Sequence, residues 1–297
     1  MKLVTFDAGN GPRTGLVVDG RVVDIAQETG LPADMIALIQ HGDAALERLR
    51  QLESTARGGA AGRQLESVRL LAPIPRPAKN VFCLGLNYQA HIAEGRGQRG
   101  PITADAQDRP EWPTYFTKAP TAVIGPGATI PLNAHVTERL DWEVELALIV
   151  GPGGVDIPPE RAYDHVFGYS IVNDISAREV QRRHGQQWFK GKSLDGSCPM
   201  GPWIVTRDEL GTADDLRITL RVNGETKQDS RTSKLIFDIP AMVSGLSAGL
   251  TLEAGDVIAT GTPEGVGFAR NPPEFLKAGD VVECEVEGIG VLRNTVG

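Results

Sequence analysis

The stretch Asp141-Trp142-Glu143-Val144-Glu145-Leu146-Ala147-Leu148-Ile149-Val150 joins an acidic cluster to an unbroken apolar run. The run Leu146 to Val150 reads as a buried strand. Side chains at i and i+2 of a strand share one face. Glu143 and Glu145 therefore point one way, and Val144, Leu146 and Leu148 the other. Two like charges at the mouth of a buried strand need a counter-charge, and a divalent cation is the simplest. A solvated strand face is the plain alternative, and the pair alone leaves the two readings level.

A second cluster, Asn173-Asp174-Ile175-Ser176-Ala177-Arg178-Glu179, follows a strand-like run, Phe167 to Val172. Asn173, Asp174 or Ser176 there suits a helix N-cap. A strand end followed by a cap also suits a metal ligand, so both readings stand. Three carboxylates without clustered cysteine or histidine favour a hard, oxygen-loving ion: Mg²⁺, Mn²⁺ or Ca²⁺. Three negative charges exceed the ion's two. Lys192, in Lys190-Gly191-Lys192-Ser193, is the candidate to balance the excess, against the plain reading of a surface lysine.

The bulk composition of the chain narrows its partners. Its 297 residues carry 30 Lys and Arg against 38 Asp and Glu, a net charge of −8. With no basic run, nucleic acid is not an expected partner. Cys83, Cys198 and Cys284 are odd in number and form no C-x-x-C pair, so they read as small buried hydrophobes. No apolar run approaches the roughly 20 residues that span a membrane, and the N-terminus does not read as a signal peptide. A cytoplasmic location is expected.

Residues 1–72 read as a small N-terminal α+β unit. Asp19-Gly20 marks a hairpin, and Met35, Leu38, Ile39, Leu46, Leu49 and Leu52 keep helical spacing with His41 on the surface. The extended connector Ala72-Pro73-Ile74-Pro75-Arg76-Pro77 opens the second unit, residues 73–297. Short strands fill that unit: 81–84, 144–150, 167–172, 203–206, 217–222, 257–259 and 281–286. Asn223-Gly224 marks another hairpin, and 236–250 is the best helix. The class is α+β and β-rich, without βα repetition.

Two further segments carry chemistry. In Leu84-Gly85-Leu86-Asn87-Tyr88-Gln89-Ala90-His91-Ile92-Ala93-Glu94, a helix would put His91 and Glu94 one turn apart. A carboxylate beside an imidazole fixes its tautomer and raises its basicity, as a general base requires. A surface pair is the plain alternative. The polar, Gly-rich stretch from Gly95 to Glu111 has the make-up of a lid. Arg96, Arg99 and Arg109 in it are candidate contacts for a distal carboxylate. The G-x-G-x-x-G match at Gly95–Gly100 is not a dinucleotide site, because no strand precedes it and Pro101 follows. Thr260-Gly261-Thr262-Pro263-Glu264-Gly265-Val266-Gly267 forms a tight loop suited to an oxyanion, or a plain turn.

Taken in order, these segments resemble the fumarylacetoacetate hydrolase family in its shorter microbial form. The resemblance covers about residues 75–297 through Gly85-Leu86-Asn87-Tyr88 with His91 and Glu94, then Asp141-x-Glu143-x-Glu145-Leu146, then Asn173-Asp174 with Ser176-Ala177-Arg178. Gly191-Lys192-Ser193 and Thr260-Gly261-Thr262-Pro263 with Gly265-Val266-Gly267 complete it. It implies a rolled mixed β-sheet and a homodimer. It implies Mg²⁺ or Mn²⁺ held by Glu143, Glu145 and Asp174, with Ca²⁺ able to take their place in a crystal. It implies a catalytic His91–Glu94 pair, Lys192 at the substrate oxyanion, and substrate contacts at Arg178, Gln181, Thr262 and Gly261. Animal members add a carboxylate ligand before the histidine. No acidic residue lies between Val81 and Ala90, which argues against fumarylacetoacetate as substrate. The expected reaction is hydrolytic C–C cleavage of a 2,4-dioxo acid, an acylpyruvate. Oxaloacetate decarboxylation and 2-oxo-alkenedioate isomerisation or hydration are alternatives at the same site. A non-catalytic metal or small-molecule binding protein is the alternative of another class.

Overall fold

The computed structural model describes residues 1–95, 110–185 and 187–297. It is a mixed α+β, strand-rich structure with, among the described residues, two large sheets and a two-stranded pair of Leu140–Asp141 with Ser176–Ala177. The strand Val144–Val150 lies inside the larger sheet, antiparallel to Val166–Asn173 on one side and to Val257–Ala259 on the other. Every residue in it is buried. Leu146, Leu148 and Val150 enter one apolar cluster, Ala147 and Ile149 another. Burial on both faces explains why this strand reads as a continuous apolar run rather than an alternation.

Among the described residues the larger sheet has twelve strands. Beyond Val257–Ala259 it continues through Val81–Gly85, in parallel pairing, to Thr114–Lys118. In the other direction it passes through Cys198–Thr206 to Lys2–Asp7, Pro12–Val18 and Arg21–Asp24. The N-terminal segment is thus hydrogen-bonded into the sheet that carries the acidic strand. The five-stranded sheet comprises Glu225–Arg231, Arg217–Val222, Val281–Val286, Gly290–Val296 and Thr129–Ile130. Its Ile218, Leu220, Val282 and Leu292 share a cluster with Leu146 and Leu148, so the two sheets pack face to face.

Local signals have local causes. Asp19 and Gly20 take φ of 48° and 73°, and Asn223 and Gly224 take 52° and 81°, the doubly positive pattern of tight hairpins. The helical spacing across Met35 to Leu52 resolves into two helices, Met35–Gln40 and Gly42–Ala56. The break falls at Gly42, whose φ is 58°. His41 is exposed there, its Nδ1 2.9 Å from the Ala37 carbonyl. The helix expected over 236–250 is shorter, Ile239–Ser247. Asp238 caps it by accepting the Ala241 N–H at 2.9 Å, and Pro240 fits its first turn. All three cysteines are buried and unpaired. Among the described residues no helix is long and apolar enough to cross a membrane.

Candidate active site

Glu143, just ahead of the 144–150 strand, and Glu145, within it, meet Asp174 at the end of the neighbouring strand. Pairing of Val144 with Asn173 sets this register. Asp174 N–H donates to the Glu143 carbonyl at 2.8 Å, and Asn173 Oδ1 accepts the Glu143 N–H at 3.1 Å. Oxygens of the three carboxylates lie within 4.8 Å of one another, and all three residues are buried. The solvated-face reading of Glu143 and Glu145 therefore fails.

Three cations surround the carboxylates. Lys192 is buried and not on the surface, and its Nζ donates to Glu143 Oε2 at 2.8 Å and to Asp174 Oδ2 at 2.6 Å. Lys118, fully buried at the end of the 114–118 strand, donates to Asp174 Oδ1 at 2.7 Å and also bonds the carbonyls of Ile175 and Lys192. Arg178 Nε donates to Asp141 Oδ2 at 2.8 Å. Its Nη2 lies 2.6 Å from Glu143 Oε1, an ion-pair contact without the alignment of a hydrogen bond. Against the cost of burial, Lys192 and Arg178 hold the Glu143 carboxyl below its ordinary range.

Glu145 is treated differently. It accepts the Gly261 N–H at 2.8 Å, and none of the three cations reaches it within ion-pair distance among the described residues. Burial, with repulsion from Asp174 and Glu143, pushes its carboxyl well above the carboxylate range. With Asp141, four buried carboxylates face three buried cations. An all-oxygen donor set with one underbalanced carboxylate fits a hard divalent cation. Buried polar atoms nearby also lack partners among the described residues, namely Tyr88 Oη and Thr260 Oγ1. Such atoms mark room for a polar ligand or water. The buried acidic triad indicates a divalent-metal site.

His91 and Glu94 lie on the short helix Gln89–Glu94, with His91 buried. His91 Nδ1 is 2.8 Å from Glu94 Oε1. A proton on Nδ1 shared with that carboxylate makes Nε2 the nitrogen suited to take up another. Glu94 Oε2 accepts the Gly265 N–H at 2.7 Å. Gly265 and Gly261 belong to one loop, so the Thr260–Gly267 segment ties the His–Glu pair to the triad through Glu145. Gly261 takes φ 97°, and a Cβ on it would come 2.8 Å from Asn87 Cβ. The position requires glycine. Thr262 Oγ1 donates to the Val144 carbonyl at 3.0 Å and accepts from Gln228 Nε2 at 2.8 Å. Gln181 lies one turn beyond Arg178 on the helix Arg178–Arg183. A Cβ on Gly191 would come 2.3 Å from the Gln181 nitrogen, so glycine there lets the Lys192 turn dock. Arg96, Arg99 and Arg109 fall outside the described residues.

Lys118 and Gln228 carry no signal in the linear sequence, and the partners of Asp141 are equally hidden there. Lys118 ends a strand remote from the acidic clusters. Gln228, in the second sheet, caps the Val144 N–H at 3.0 Å. Asp141 accepts the N–H groups of Gly267 at 2.7 Å and Phe268 at 2.9 Å, holding the loop against Arg178.

The family model described as Fumarylacetoacetate (FAA) hydrolase C-terminal matches residues 80–297. The chain belongs to this family. A curated fumarylacetoacetate hydrolase relative, oxaloacetate tautomerase YisK of Bacillus subtilis, is 42% identical over 311 residues and is covered in full, as is this chain. The solved fumarylacetoacetate hydrolase of Exiguobacterium antarcticum is 41% identical with a TM-score of 0.84, covering 100% of this chain and 99% of that one. The maleylpyruvate hydrolase of Sphingobium sp. SYK-6, solved with manganese(II) and pyruvate, is 30% identical with a TM-score of 0.78, covering 100% and 98%. The acidic triad and the His–Glu pair sit within the family-matched segment.

Proposed function

We propose that this protein is a metal-dependent tautomerase of a small 2-oxo acid, with oxaloacetate as the first candidate substrate. The observation that carries the reading is the pairing of one base dyad, His91–Glu94, with a buried carboxylate triad braced by Lys192. Full-length similarity to an oxaloacetate tautomerase supports it. Keto–enol exchange needs one C–H bond beside the oxo group broken and one O–H bond formed. Glu143, Glu145 and Asp174 would hold Mg²⁺ or Mn²⁺. The bound ion would act as a Lewis acid toward the 2-oxo group. His91 Nε2 takes the proton from C3 and gives it up to the oxo oxygen, directly or through water, and the reverse path takes the enol proton and returns one to C3. Glu94 fixes the imidazole and stabilises its charged form. Lys192 sets positive charge where the oxo oxygen gains negative charge. Arg178, Gln181, Gly261 and Thr262 frame the substrate.

The expected acylpyruvate hydrolysis becomes the second reading. The maleylpyruvate hydrolase solved with manganese and pyruvate supports it. Both reactions place negative charge on the same 2-oxo fragment, and they differ in whether water attacks a second carbonyl.

The test is a panel of enolic oxaloacetate, an acylpyruvate and a 2-oxo-alkenedioate, followed by the enol absorbance with Mn²⁺ and with chelator. A metal-only blank corrects for spontaneous decay of oxaloacetate. His91→Ala should slow the preferred substrate by on the order of 10²–10⁴-fold. Near-wild-type turnover in that variant would sink the base assignment. Acylpyruvate cleavage outpacing oxaloacetate tautomerisation would favour the second reading.

A further inference from the structure

A cavity of about 410 Å³ opens beside the site. That volume suits a small metabolite. Arg139, Arg178, Arg182 and Arg183 line it, with the rings of Phe268 and Phe275. None of Glu143, Glu145, Asp174 or His91 is among the lining residues. The chain carries a net charge of −8, so four arginines around one cavity run against the overall balance.

The charges there are only partly offset locally. Asp141 and Glu143 engage Arg178. No carboxylate of the described residues forms an ion pair with Arg139, Arg182 or Arg183. Glu179 also lines the cavity, where its carboxylate accepts from Thr137 Oγ1 at 2.8 Å and Glu138 N at 2.6 Å and interacts electrostatically with Arg139, so one lining carboxylate stands against four arginines. Phe268 lies 4.4 Å from the Arg178 guanidinium and 5.7 Å from that of Arg182, which stacks both beside one ring. Burial, with repulsion from Arg178 and Arg139, draws the Arg182 guanidinium below its usual range. Basic residues in the last turn of a helix complement its dipole, which accounts for Arg182 and Arg183 in part. It accounts neither for Arg139, on a separate segment, nor for the half-open pocket they share.

We propose that this cavity is a second anion site, for a small dianionic carboxylate or phosphoryl ligand, coupled to the metal centre through Arg178. Arg178 is the shared wall. It lines the cavity, and its Nη2 is buried beside Glu143 without an aligned hydrogen bond. An anion in the cavity shares the Arg178 charge and leaves Glu143 more available to a cation. Anion and metal therefore favour each other, and the coupling is reciprocal. The site lies beyond the tautomerase reading and does not depend on it.

Sulfate is the probe, because it is a dianion that binds divalent metals weakly. Calorimetry on the metal-free, full-length protein, at ionic strength fixed with chloride, should show saturable binding of one sulfate. Arg182→Gln with Arg183→Gln should weaken it by roughly tenfold or more, and Arg139→Gln should act in the same direction. Both arginines are exposed, and an unchanged melting curve for the double variant verifies its fold. Saturating sulfate should tighten Mn²⁺ binding by roughly fivefold or more in the wild type and not in the double variant. Absence of saturable sulfate binding, or equal binding by the double variant, would overturn the site. An unchanged Mn²⁺ affinity would overturn the coupling. Displacement of sulfate by oxalate with Mn²⁺ would show that the cavity is part of the substrate pocket rather than a second site. The metal-free titration separates failure of this proposal from failure of the metal reading.

Discussion

Lys118 is the residue whose importance is least visible in the chain and greatest in the fold. Its ammonium is fully buried and holds Asp174 Oδ1 together with two backbone carbonyls. Removing one partner of a buried ion pair strands the other in low dielectric, at a cost of about 3–5 kcal/mol. Lys118→Met is expected to lose stability on that scale in denaturant titration of the metal-free protein. Mn²⁺ at a thousandfold excess over its dissociation constant restores about 4 kcal/mol to any native state that binds it. The variant should therefore recover much of the loss with metal, and wild-type-like stability without metal would refute the pairing. Tyr88 is the opposite case. Its hydroxyl is buried with no hydrogen-bond partner among the described residues, so Tyr88→Phe removes a desolvated group and none of the described bonds. Stability should stay within about 0.5 kcal/mol of the wild type or rise. A drop of several degrees in Tm would mean that the phenol is bonded.

At the scale of elements, the Thr260–Gly267 loop joins base to triad. Gly261→Ala places a Cβ 2.8 Å from Asn87 Cβ at φ 97° and shifts the N–H that Glu145 accepts. A loss of about 1–3 kcal/mol is expected, with weaker Mn²⁺ binding in calorimetry. Gly127→Ala is the control. Gly127 has φ 70° and nothing within 4 Å of a built Cβ, so it should lose stability without changing metal affinity. Unchanged metal affinity in Gly261→Ala would deny the loop its role. The elements that the sequence made legible are those with a local cause. The 144–150 strand announces itself by a run buried on both faces, and Asp19-Gly20 and Asn223-Gly224 by turns that demand positive φ. Glu143, Glu145 and Asp174 were legible because buried carboxylates require compensation wherever they fall. Lys118, Gln228 and Asp141's hold on Phe268 were not. Each acts through a contact between distant segments, and nothing in the neighbouring residues marks it. The strands Lys2–Asp7 and Gly290–Val296 were missed for a related reason, since their partners rather than their own patterns define them.

At the scale of the whole molecule, the question is how residues 1–72 relate to 73–297. The family match begins at residue 80, and the acidic and basic groups of the site all lie beyond it. Chemistry therefore makes the first segment look detachable, yet packing says otherwise. Leu3 pairs with Ile204 across the sheet, and Leu3, Leu16, Ile25 and Leu49 share one apolar cluster with Cys83, Ala147 and Ile149. Ala147 and Ile149 sit in the strand that carries Glu145. Deleting 1–72 would expose that face and leave the 198–206 strand with an open edge, a template for aggregation. Residues 73–297 alone are expected to be insoluble, or to lose near-UV circular dichroism and cooperative unfolding. Co-expression with 1–72 as a separate chain should restore both, because the missing contacts are a strand edge and an apolar face, not a covalent link. A truncated protein that unfolds cooperatively and binds Mn²⁺ with wild-type affinity would show that the acidic strand is held by its own half of the sheet alone.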